Sequence, residues 1–192
     1  MHAVRWMTLG AAALAIAGCG SKTETSSTTD TTTVTTNADS VMADNMAMAP
    51  AASAGQVFAN AAASSDAFEI ATSRLADGQG ASAKTKKFAD AMIKAHTEST
   101  SKLKTVAGTA TPPIVPDPAL TSEQQQVLDS LKGLKGADFD KAYATAQVDA
   151  HQKTLGALKA NAGNQDVPQA LRDFAAKLVP TVTAHLNMAK SL

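Results

Sequence analysis

The chain has 192 residues, and its 17 basic and 17 acidic side chains cancel to a formal net charge of +0 at pH 7. That balance excludes the basic excess with which a nucleic-acid binder neutralises phosphates, and a single cysteine excludes an internal disulfide framework. Apolar residues make up 44% and aromatics only 4%, so alanine carries much of the apolar count, a composition suited to closely approaching helices.

Residues 1–18 read as a secretory signal peptide. Arg5 supplies a positive start, and the apolar run from Trp6 to Ala17 is too short to span a bilayer, which takes roughly 20 residues. The run ends in Ile16-Ala17-Gly18-Cys19, which resembles the bacterial lipobox. That resemblance implies cleavage before Cys19 and acylation of its thiol. Two acyl signals on one residue suffice for stable membrane anchoring. Gly20 stands where an aspartate would favour inner-membrane retention, so by the same resemblance a Gram-negative host would place the protein in the outer membrane, facing the periplasm. Residues 19–55 are expected to form a disordered tether rich in Ser, Thr and Ala, because a run such as TSSTTDTTTVTTNADS has little to bury. Met42, Met46 and Met48 form a thioether cluster with some affinity for soft copper(I), although a linker with chance methionines is the simpler reading.

From Gln56 onward the apolar period becomes helical. A first helix over 56–77 carries Phe58, Ala61, Ala62, Ser65, Phe68, Glu69, Thr72, Leu75 and Ala76 on one stripe and stops at Gly78 and Gly80. A second, over 82–107, takes Ser82 as its N-cap and carries Phe88, Met92, His96, Ser99, Leu103 and Val106; Gly108 and TPPIVPDP break it. Its lysines 84, 86, 87, 94, 102 and 104 read as a solvated face. Thr121 to Gln124 has the capping-box pattern and opens a short helix with Val127, Leu128, Leu131 and Leu134. Asp138 is the expected cap of a third long helix over 139–161, with Tyr143, Gln147, His151, Leu155 and Leu158 on its stripe. After Gly163, Asp166 and Pro168 start a fourth, with Leu171, Phe174, Leu178, Val182, His185 and Leu192; Pro180 lies inside it and should kink it. No segment alternates with period two. Residues 56–192 therefore read as an all-α, antiparallel four-helix bundle with a long, partly helical connection between the second and third long helices.

Phe58, Glu69, FADAMIKAHTES around His96, FDKAYATAQVDAH ending at His151 and LVPTVTAHL around His185 together resemble the bacterial domain of unknown function family 4142. The resemblance covers about residues 56–192 and implies a ferritin-like fold; it implies no established activity.

Three histidines, His96, His151 and His185, fall on core-facing stripes of three helices, and Glu69 falls on the stripe of the fourth. Facing helices of a bundle are a recurrent place for metal sites, and three imidazoles with a carboxylate suit zinc, copper or iron. Ferritin-type di-iron chemistry is disfavoured, because the residues three before the histidines are Ile93, Val148 and Val182 rather than Glu. Measured from a common end that holds both hairpin loops, the pair His96 and His185 is also offset from the pair Glu69 and His151 by about 6–13 Å along the axis, which weighs against a shared site. Three readings stay open: separate neutral core histidines, a metal site, and a buried Glu–His proton-linked network. No nucleophile elbow or phosphate loop is present in the sequence. The chain thus reads as a lipid-anchored envelope protein, a binding or stress-protective module rather than an established enzyme. Its partner would be the membrane through the anchor and an envelope protein or small ligand, with no nucleic acid. The alternative is a metal-binding or metal-dependent redox protein holding a divalent cofactor ion on Glu69, His96, His151 and His185.

Overall fold

A computed structural model of the chain describes residues 51–79 and 82–192. The signal segment, Cys19, most of the expected tether and Met42, Met46 and Met48 lie outside the described residues. Five helices follow one another: α1 (Ala54–Gly78), α2 (Ala83–Gly108), α3 (Ser122–Lys132), α4 (Gly136–Ala162) and α5 (Gln169–Ala189), with no strand among the described residues. None of these helices is long and apolar enough to cross a membrane.

Local chemistry sets the boundaries. Ser53, Ser82 and Thr121 each accept a hydrogen bond from the backbone three residues on, which satisfies a donor that the first helical turn would otherwise leave free. At Thr121 the partner is Gln124, which reaches back to the Thr121 N–H and completes the capping box. Asp138 does not cap α4. That helix begins earlier, at Gly136, with Lys135 in the cap position and no side-chain bond. The reason is Gly136 itself: its φ of 55° suits glycine, and its N–H donates to the carbonyl of Gln79 at 2.7 Å. Asp140, one turn into α4, accepts from the Ser82 N–H at 3.0 Å, and the Gln79 amide donates to the carbonyls of Leu131 and Lys132. The turn between α1 and α2 is thereby tied to the start of α4 and the end of α3. Pro180 sits inside α5, which continues on both sides of it.

α1 packs chiefly on α2 and α4 on α5; α1 also meets α4, α2 meets α5, and α3 lies over α1 and α4. Residue pairs fix the directions. Ser65 meets Thr154 and Ser73 meets Tyr143, so α1 and α4 are antiparallel. Lys84 donates to Ser191 near the start of α2 and the end of α5, so those two are antiparallel as well. It follows that α2 and α4 run the same way, joined by the long connection that contains α3. The two hairpin loops therefore lie at opposite ends, not at one: the α4–α5 loop reaches Gly55 at the start of α1, where a β-carbon would stand 2.7 Å from Pro168.

The core is layered along the axis. One apolar cluster, with Phe58, Leu103, Ile114, Leu158, Leu171 and Phe174, fills the end near the α4–α5 loop. A second, with Phe88, Met92, Leu131, Phe139 and Tyr143, fills the end near the α1–α2 turn. Between them lies a buried polar layer of Asp66, Glu69, Thr72, Ser73, His96, Gln147 and His151.

Candidate metal centre

Helix direction explains how three histidines far apart in sequence meet in this layer. Side chains on an α-helix lean toward its N-terminus. His96 and His151 stand on parallel helices, 13 and 15 residues after the first residues of α2 and α4, Ala83 and Gly136, and lean the same way. His185 stands on the antiparallel α5, four residues before its last residue, Ala189, and leans toward them. The axial offset expected for loops at a common end does not apply to this topology. The three rings form a near-equilateral triangle, with centroids 5.7, 5.8 and 5.6 Å apart. Each imidazole offers a nitrogen, and the three nitrogens lie within 4.8 Å of one another.

The hydrogen bonds decide which lone pairs are free. His151 Nδ1 is 2.8 Å from the Gln147 carbonyl, which can only accept, so Nδ1 carries the proton and Nε2 is bare in the neutral ring. His96 Nδ1 is 2.8 Å from Asp66 Oδ1, and the same reasoning leaves its Nε2 bare. His96 Nε2, His151 Nε2 and His185 Nδ1 are buried and find no hydrogen-bond partner among the described residues. Buried polar atoms without partners are rare and costly. Three imidazoles from three helices, each with such an atom and with a nitrogen of each within 4.8 Å of the others, match the donor set of a transition-metal ion. A tetrahedral zinc holds its nitrogens about 3.4 Å apart at bond lengths near 2.05 Å.

Glu69 occupies a different place from the three imidazoles. It is fully buried, but its carboxylate is not among the atoms that converge; Oε1 lies 3.6 Å from His151 Nδ1, behind the ring. Neither of its oxygens accepts a well-formed hydrogen bond among the described residues. Burial raises it to about 7, against the smaller lowering effects of His96 and the neighbouring Gln147 amide. Asp66, one turn earlier on α1, is the buried partner of His96 and also accepts from the Thr100 hydroxyl at 3.2 Å. It stood on no expected stripe, although its spacing of three from Glu69 puts both on one helix face. Burial lowers His96, but the Asp66 hydrogen bond and the charges of Glu69 and Asp66 outweigh it, and the net shift is upward. Burial lowers His151 and His185 to about 4, helped by the charge of His96, so both are neutral at pH 7. The Tyr143 hydroxyl is held above its ordinary range by burial and meets Ser73 at 2.7 Å.

The sequence profile described as Domain of unknown function (DUF4142) matches residues 26–192. The chain belongs to the DUF4142 family. The match reaches back into the stretch expected as tether, further than the residues that carried the resemblance. No curated protein and no solved structure matches the chain. In this DUF4142 domain a separate groove of about 440 Å³ opens between α1, α3 and α4, lined by residues such as Ala62, Phe68, Ala146 and Leu158, and no histidine lines it. Its hydroxyls Ser64 and Ser65 are already bonded to Gln124 and Thr154.

Proposed function

We propose that this DUF4142 protein is a metal-binding module of the bacterial cell envelope, anchored by lipid at Cys19 and holding a divalent transition-metal ion on His96, His151 and His185. The observation that carries the reading is the meeting of three imidazoles with a nitrogen of each within 4.8 Å of the others, each ring also holding a buried nitrogen without a partner among the described residues. Zinc and copper suit three nitrogens; magnesium and calcium prefer oxygen. Asp66 and the Gln147 carbonyl hold the rings of His96 and His151 from behind, the arrangement by which outer partners orient metal-bound histidines. A single long connection joining two parallel helices supports a ferritin-like reading of the bundle. The Ile16-Ala17-Gly18-Cys19 sequence supports the anchor.

The test is metal analysis of the mature protein, purified without chelator and dialysed. One equivalent of zinc or copper is expected, with loss in His96→Ala, His151→Ala or His185→Ala. A folded wild-type protein that takes up no metal in titration overturns the reading. The anchor is tested separately by mass spectrometry of the N-terminal peptide and by Cys19→Ser, which should release the protein from membranes.

A further inference from the structure

We infer that Asp66 and Glu69 set the charge of the histidine cluster and so select a doubly charged ion over a singly charged one. This rests on the metal reading above and concerns residues that do not themselves touch the ion. Imidazoles that each offer a bare nitrogen to an ion bring no charge, yet that ion sits in the interior of the bundle, where uncompensated charge is costly. The compensation stands on α1. Asp66 lies 2.8 Å behind His96 and Glu69 3.6 Å behind His151, both nearly sealed from solvent. Among the described residues neither carboxylate pairs with a lysine or arginine. These two carboxyl groups can supply the two negative charges that balance a +2 ion on three neutral ligands. A +1 ion such as copper(I), to which three nitrogens are otherwise acceptable, needs only one of the two charges and so draws less on the pair.

A purely geometric role makes a different prediction. Asn at 66 still accepts from His96 Nδ1 and keeps the ring in place; Gln at 69 keeps the shape of Glu. Only the charge goes, and the energy of an ion near a fixed charge scales with the charge of the ion. The experiment measures zinc(II) and, anaerobically, copper(I) affinity of the mature protein by competition with chromophoric chelators, for wild type, Asp66→Asn, Glu69→Gln and the double variant. Loss of an outer partner weakens metal binding by about 10–100-fold. A variant that loses about 100-fold for zinc should lose about 10-fold for copper(I), and the double variant should widen that gap. Retained copper(I) binding also shows that the cluster has kept its shape. Equal losses for the two ions would mean that the carboxylates only orient the rings, and unchanged zinc affinity would mean that they do nothing; either overturns the inference. Should Asp66→Asn not fold, Glu69→Gln decides alone, since no well-formed hydrogen bond among the described residues depends on it. A wild-type protein that binds neither ion instead sinks the metal reading itself, along with this one.

Discussion

The apolar ends of the bundle and its polar middle are built from the same four long helices but follow opposite rules. At the ends, Phe139, Leu103 and Leu171 are fully enclosed and make no polar demands. In the middle, six side-chain atoms of Glu69, His96, Gln147, His151 and His185 are buried without a partner among the described residues. Each such atom costs roughly 1–3 kcal/mol against a satisfied one. A bundle selected for stability alone would fill this layer with leucine. The ends therefore hold the helices in register, and the middle uses part of that stability to keep unpartnered polar atoms in the interior.

Substitutions at the ends give the largest expected effects. Phe139→Ala should destabilise by about 3–5 kcal/mol and Leu103→Ala by about 2–5 kcal/mol in denaturant unfolding, with no change in metal stoichiometry where the domain stays folded. Losses under 1 kcal/mol would mean that the ends are not the source of stability. Zinc is expected to act on the middle. At a free concentration 1,000 times its dissociation constant it should stabilise by about 4 kcal/mol, and His151→Ala should abolish the gain. Gly55→Ala sharpens the picture of the packed end: the new β-carbon would meet Pro168 Cδ at 2.7 Å and Ile114 Cδ1 at 2.8 Å. A loss of about 2 kcal/mol is expected from that overpacking, with zinc affinity unmoved.

The pH dependence of the metal-free protein separates the layers further. His151 and His185 are pushed down to about 4, so below pH 6.5 the unfolded imidazoles bind protons that the folded ones refuse. Their contribution is present above pH 6.5 and lost as pH falls toward 4. Glu69, raised to about 7, opposes them: its contribution is present below pH 4.5 and lost as pH rises to 7. From these three groups alone, with His151 at full and the half-buried His185 at half weight, acidification from pH 6.5 to 4.5 should cost about 1–2 kcal/mol, a loss that the upward shift of His96 reduces. Glu69→Gln removes the opposing titration and should at least double that loss; an unchanged slope would show that Glu69 does not titrate in this range. The smallest effect lies on the surface. Glu98→Ala breaks only the exposed pair with Lys102 and should leave the melting temperature and the metal site unchanged.

Much of the fold was legible in the sequence, because strong local signals wrote it. Ser82 and the Thr121–Gln124 box cap the helices they were expected to cap, and the stripe through Tyr143, Gln147, His151 and Leu158 is buried. The start of α4 was not legible at Asp138, since it depends on a long-range bond from Gly136 to Gln79. The placing of the three histidines on inward stripes could be read from period alone. Their meeting could not, because it depends on whether the long connection returns the chain to the same end. Asp66 escaped because Ala61, Ala62 and Ser65 suggested a stripe rotated from the real one; Ala61 is in fact exposed and Asp66 buried. An acidic residue one turn before Glu69 was the available signal.

The single crossover also fixes how the domain meets mechanical load. The first turn of α1 and the last turn of α5 lie at opposite ends of a bundle whose 25-residue α1 is about 37 Å long. Tension between those two points runs along the helix axes. The helices must then slide past one another rather than peel apart in turn. An ion gripped by α2, α4 and α5 at mid-height would be a rivet through three of the four sliding members, and a loaded domain should yield at higher force than an empty one.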